Sequence, residues 1–210
     1  MPRVCRAETA KNRRAIRQAS SRLFREQGLR ASVSAVMSAA GLTHGGFYRH
    51  FGSKDELAAD ACAAAFAESL ARWRKRMEGA QGSARAALIE GYLTPHNRAT
   101  VGAGCPIAAL ATDVARESLD KPVRRAFGAG LERLIATLAG VEPRRGAGSA
   151  RTRALTELAT LVGAMVLARA TDGTALSDEF MQAARRSLLG TRDHVPRVRR
   201  PPGQRRVRAR

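Results

Sequence analysis

At 210 residues, with a formal net charge of +19 and a sequence pI of about 11.6, the chain has room for one core-bearing domain plus a small appended unit, and its charge favours a polyanionic partner, either nucleic acid or an anionic surface. The longest apolar stretches fall short of the ~18–20 uncharged residues of a bilayer span, and no apolar signal core follows the first basic residues, so a cytoplasmic protein with no membrane partner is expected. Cys5, Cys62 and Cys105 are an odd number at unrelated spacings without a Cys-x-x-Cys pair, which excludes a zinc ribbon or a disulfide scaffold; no metal or other cofactor is expected.

Apolar residues recur at helical rather than strand period almost throughout, which predicts an all-α protein. The first helix is expected from about Thr9 to Gln27, with Ile16, Ala19, Leu23 and Phe24 as its apolar stripe and Gly28 as its stop; Lys11, Arg13, Arg14, Arg17 and Arg25 fall on the other face. A short second helix carries Val33, Val36, Met37 and Ala40, opened by Ser32 and closed by Gly41. A third helix is predicted after Thr43, presenting Phe47 and Phe51 one turn apart to the core. Ser53 with Glu56 makes a capping box for a long fourth helix that ends near Gly79. Further helices are predicted near 83–97, 106–118, 120–140, 151–171 and 177–190. The stretch 155–168 is apolar nearly all round, so that helix either crosses the domain centre or packs on a second subunit. After Gly190 the composition turns to Arg, Pro and Gly. No core can form there, and 191–210 is expected to be a disordered tail.

The segment Val33 to Leu57 has helix-turn-helix grammar: a short helix, a turn at Gly41-Leu42-Thr43, and a second helix whose outer face can enter a major groove. Gly45 and Gly46 each cost roughly 1 kcal/mol of helix propensity relative to alanine, so bare backbone gains something there, and close approach to DNA is such a gain. His44, Tyr48 and Arg49 fall opposite Phe47 and Phe51, where they can reach phosphates or base edges. The run from Ala39 to Leu57, AAGLTHGGFYRHFGSKDEL, resembles the DNA-binding signature of the tetracycline-repressor (TetR/AcrR) family, and Leu23 to Gly28 is similar to that family's first-helix ending. The resemblance covers roughly the first 60 residues.

That resemblance implies a helix-turn-helix head over 1–53 and a larger helical body over 54–190, with about nine helices in all. The body would bind a small-molecule effector and form a homodimer through the last two helices. It also implies a repressor that holds a palindromic double-stranded operator until the effector releases it. Position by position, Tyr48 and Lys54 become phosphate contacts, and His44, Gly45 and Arg49 base-edge readers. Ser32 and Thr43 would cap helices and also touch phosphates, and His50 would contact the backbone. His44 departs from the lysine or arginine the family often places there, so charge at that position depends on protonation. Trp73, Tyr92, His96, Cys105, Phe127 and Met165 are candidates for the effector pocket; core packing explains each of them equally well. Leu158, Val162, Met165, Val166, Phe180, Ala184 and Leu188 are candidates for the dimer seam.

Cys105 precedes Pro106, which puts the thiol at a helix N-cap, as a sensor cysteine needs; a small capping or pocket-lining residue reads the same way. Two other functions compete with the regulator. A cysteine enzyme using Cys105 with His96 or His44 would need convergence that spacing cannot supply. A nonspecific DNA-coating protein would need the charge but not the ordered head motif. No catalytic residue is therefore assigned.

Overall fold

The computed structural model describes residues 6–141 and 147–190. Cys5 and the Arg/Pro-rich segment expected over 191–210 lie outside the described residues. The described chain is all-α, with no strand. Its helices are α1 (Arg6–Gln27), α2 (Val33–Ala39), a 3₁₀ helix (His44–Arg49), α3 (Lys54–Glu78), α4 (Ala84–Tyr92), α5 (Pro95–Ala99), α6 (Pro106–Arg116), α7 (Pro122–Val141), α8 (Ala147–Ala170) and α9 (Ala175–Leu189). No described helix is long and apolar enough to cross a membrane.

The punctuation works as its chemistry dictates. Gly28 and Gly41 sit at φ +78° and +71°, backbone that side-chain-bearing residues rarely adopt, and each ends a helix. The amide of Ala35 donates to Ser32 Oγ at 3.1 Å, and that of Glu56 to Ser53 Oγ at 3.1 Å. The return bond of the capping box goes one residue further back than the motif prescribes: the Gly52 amide donates to Glu56 Oε2 at 2.8 Å. The helix expected over 83–97 is two helices, because Pro95 cannot continue α4 and instead opens α5.

One continuous apolar core runs from the head into the body. In the head, Ile16, Phe24, Val36, Met37, Phe47 and Phe51 are buried, and the Phe47 and Phe51 rings stack at 6.0 Å. In the body, α3 packs most extensively on α7: Phe66 meets Phe127 edge to face at 5.3 Å, and Gly130 passes so close to Phe66 that a Cβ there would lie 2.2 Å from its Cγ. Polar bonds also tie head to body alongside that packing. Arg25, expected on the outer face of α1, is instead buried: it donates to Glu68 Oε2 of α3 at 2.6 Å and to Gly104 O before α6 at 3.3 Å. The Leu29 amide donates to Asp113 Oδ2 of α6 at 2.8 Å. Along the α1–α3 seam, Arg17 grips Asp60 with two bonds of 2.7 and 2.9 Å.

α8 buries Ala154, Leu158, Leu161, Met165 and Ala168 against its own body. Its other side leaves Leu155, Val166 and Leu167 exposed, beside an exposed Leu176 on α9.

Candidate nucleic-acid interface

The third helix differs from the expected α-helix: His44 to Arg49 is a 3₁₀ helix. Two successive glycines make a regular α-helix costly, and a short 3₁₀ turn suffices to place the aromatics. The Phe51 amide still donates to Phe47 O at 3.1 Å, so the two phenylalanines keep their one-turn spacing.

Phe47 is the one buried residue of this helix, and it fixes the register of the rest. His44, Gly45, Tyr48 and Arg49 are all exposed. Tyr48 is 73% exposed although its ring lies edge-on against Phe47 at 5.1 Å, so packing orients an aromatic hydroxyl that the protein itself leaves in solvent. Gly45 has no heavy atom within 4 Å of where a Cβ would stand and no positive φ. Nothing inside the protein requires glycine there.

The remaining sequence-derived candidates surround this helix with different degrees of freedom. Ser32 is exposed, with its oxygen engaged by the Ala35 amide. Thr43 stands at the N-cap position of the 3₁₀ helix but makes no capping hydrogen bond; the expected cap is absent and its hydroxyl is available outward. Lys54, half-buried, opens α3 behind Ser53. His50 is half-buried, with its carbonyl held by Arg13 Nη1 at 2.5 Å and a buried Nδ1 without a hydrogen-bond partner. Burial, then the nearby Arg13 and Arg49 cations, hold its imidazole pKa below the ordinary value.

An open cleft of about 450 Å³ lies between the start of α1 and the 3₁₀ helix, lined by Thr9, Asn12, Met37, Leu42, Thr43, Gly46, Arg49 and His50. Thr9 and Asn12 therefore belong to this surface. Nothing in the sequence marks them, because their polar face on α1 is indistinguishable there from ordinary solvated positions.

The body candidates divide by burial. Trp73, Tyr92, Cys105 and Met165 are buried and Phe127 is half-buried, whereas His96 is exposed on α5, which separates it from the buried Cys105. Cys105 is the N-cap of α6 with Pro106 in the first turn, as the sequence suggests, although its side chain makes no capping bond. Cys62 is a packing residue, its thiol pushed up to about 12 by burial. Among the described residues no group of three or more His, Cys, Asp or Glu side chains could hold a metal. Of the seam candidates, Leu158, Met165 and Ala184 are buried in the protomer's own core; Val166 is exposed, and Val162, Phe180 and Leu188 are half-buried.

A three-helix head whose third helix exposes polar side chains around its buried Phe47, carried on a larger helical body, is the architecture of a helix-turn-helix transcriptional regulator. Residues 16–61 match the bacterial regulatory proteins, tetR family. No curated protein matches the chain in sequence. Among solved structures the chain is similar to a TetR-family transcriptional regulator from Cytophaga hutchinsonii (18% identity over 90% of this chain and 98% of that one, TM-score 0.71) and to a TetR regulator from Chloroflexus aurantiacus (23%, 88% and 95%, 0.71). It is also similar to the reduced form of Escherichia coli NemR (20%, 85% and 95%, 0.70). The head thus belongs to the tetR family, and the fold of the described chain is the one that family's solved members share.

Proposed function

We propose that the chain is a ligand-responsive, sequence-specific repressor that grips a palindromic operator as a cytoplasmic homodimer and lets go when a small molecule binds its body. One observation carries the DNA reading: His44, Gly45, Tyr48 and Arg49 are exposed around a single buried anchor, Phe47, with a glycine that nothing inside the protein requires. His44, Gly45 and Arg49 approach base edges; Tyr48, Thr43 and His50 take phosphates. Lys54 and the first amides of α3 form a further phosphate grip. The net charge adds a salt-sensitive, sequence-independent attraction.

The homodimer reading is supported by the apolar stripe Leu155, Val162 and Val166 on α8 with Leu176 and Phe180 on α9, which the protomer leaves exposed or half-exposed. A two-fold contact through that stripe would set the heads about 34–36 Å apart, the spacing of successive major-groove turns. Ligand responsiveness is supported by the polar bonds of the joint, since Asp113 of α6 and the Gly104 carbonyl just before α6 touch the head directly. Rearranging α6 therefore biases head separation along with α3.

The test is the affinity of the full chain for DNA upstream of its own gene against a scrambled duplex at one physiological salt concentration. At least about a 1,000-fold preference is expected of a specific reader. Equal affinity for the two duplexes overturns the reading in favour of charge-driven coating.

A further inference from the structure

Inside the body, guanidinium groups collect without acids to match them. Arg72 and Arg76 stand one turn apart on α3, both half-buried, and Arg169 enters from the end of α8. Arg72 Nη2 donates to Gly104 O at 3.1 Å, and Arg169 Nη2 lies so close to Gly104 that a Cβ there would approach it to 2.7 Å. Arg76 crosses Gly91, beside Tyr92, so closely that a Cβ there would lie 2.7 Å from its Nε. Among the described residues none of the three has a carboxylate within ion-pair distance. Glu68, the acid whose charge reaches Arg72, is already held by Arg25.

Two donors in the same place are left over. Tyr92 is 2% exposed, and its hydroxyl has no strong hydrogen-bond partner, only the weakly bonding Cys105 thiol beside it. Arg169 uses Nε and Nη2 on the carbonyls of Arg98 and Asn97, at 3.1 and 2.9 Å, and leaves a buried Nη1 unpartnered. Burial holds Arg72, Arg76 and Arg169 below the ordinary guanidinium pKa. Half-buried cations and orphaned donors cost stability unless something anionic meets them. The same helices carry buried apolar side chains next in sequence: Trp73 one residue after Arg72 on α3, and Met165 one turn before Arg169 on α8.

We propose that this cluster is the acid-recognition end of the effector site: Arg169 Nη1 and Tyr92 Oη donate to the carboxylate of a small amphipathic acid, Arg72 and Arg76 balance its charge, and Trp73 and Met165 meet its apolar body. The inference rests on the ligand-responsive reading above and assigns the effector its chemical class. Gly91 and Gly104 give the guanidinium groups of Arg76 and Arg169 room to lie against backbone.

The experiment compares octanoate, decanoate and benzoate with octanol, decanol and benzyl alcohol on the full-length protein, by calorimetric affinity and melting shift, and in parallel by release of the operator complex. Acids should bind at least about tenfold tighter than their alcohols. Arg76→Gln, which breaks no hydrogen bond of the fold, should remove most of that preference. Tyr92→Phe should weaken the acids about fivefold without lowering the melting temperature of the ligand-free protein, because the hydroxyl it deletes has only a weak thiol partner. Acids and alcohols binding alike, no acid binding, a preference untouched by both variants, or inorganic phosphate stabilising the protein as well as the acids do would each overturn the proposal. Acids that bind through these residues without releasing the operator uphold the site and refute ligand-responsive repression. Release by the alcohols alone does the reverse.

Discussion

Head and body solve the same packing problem in opposite ways. The head packs mainly apolar side chains around Phe47 and Phe51 and turns most of its charges outward; the single buried charge on α1, Arg25, points at the body. The body draws charge inside, in Arg72, Arg76 and Arg169 and in the Arg85–Glu157 pair of 2.7 Å. An apolar core of interlocked aromatics has one arrangement and suits a rigid reading surface. Buried charges that are only partly matched make the body the part whose arrangement a ligand can change.

The sharpest way to break that contrast lies in two adjacent residues. Phe47→Ala should cost about 3–5 kcal/mol of stability, the price of emptying a fully buried aromatic site, measured by urea unfolding. Tyr48→Ala should change stability by no more than about 0.5 kcal/mol and weaken operator binding at least about tenfold. A Tyr48 variant that unfolds the head while binding normally when folded would refute the division between anchor and reader.

The joint comes next. Arg25→Met removes the bonds to Glu68 and Gly104 O at about 2 kcal/mol, less than a fully buried pair costs because the half-exposed Glu68 can rehydrate. Its signature is a loss of cooperativity, with head and body melting separately. Gly130→Ala should cost about 1–3 kcal/mol within the body alone, since the added Cβ meets the immobile Phe66 ring, and it should leave the intrinsic affinity of the folded head unchanged. A smaller effect on the protomer is expected for Val166→Glu. It should shift sedimentation toward monomer and weaken operator binding while changing protomer stability by under about 1 kcal/mol.

The same contrast explains what the sequence discloses. Helical period, glycine stops and Ser caps are local signals, so the all-α class, the ends of α1 to α3 and the exposed set around Phe47 could be read directly. The 3₁₀ form of His44–Arg49 and the break at Pro95 also have local causes, in the paired glycines and the proline. The burial of Arg25 could not be read, because its partners lie 43 and 79 positions away and an arginine on a helix ordinarily faces water. The same holds for the inward turn of Leu158 and Met165: on an all-round apolar helix the pattern does not say which face meets the protomer and which is left over. Thr9 and Asn12 join the cleft beside the 3₁₀ helix only through tertiary packing.

The smallest expected effect tests whether the head is as indifferent to conditions as its apolar core suggests. Burial and the Arg13 and Arg49 cations lower the His50 pKa in the folded state, so near its ordinary value of about 6.5 the unfolded chain binds more protons than the folded one. Stability is then fully present above that value and declines as the pH falls through it. His50→Gln should flatten that slope between pH 7 and pH 5 in equilibrium unfolding of the free protein. On DNA the sign reverses, because a phosphate beside the imidazole favours its protonated form. Operator affinity of the unaltered chain should therefore rise over the same interval in which its free stability falls, and the substitution should abolish both trends. Parallel trends in the two measurements would mean that His50 answers only to its own fold and does not meet the backbone of the operator.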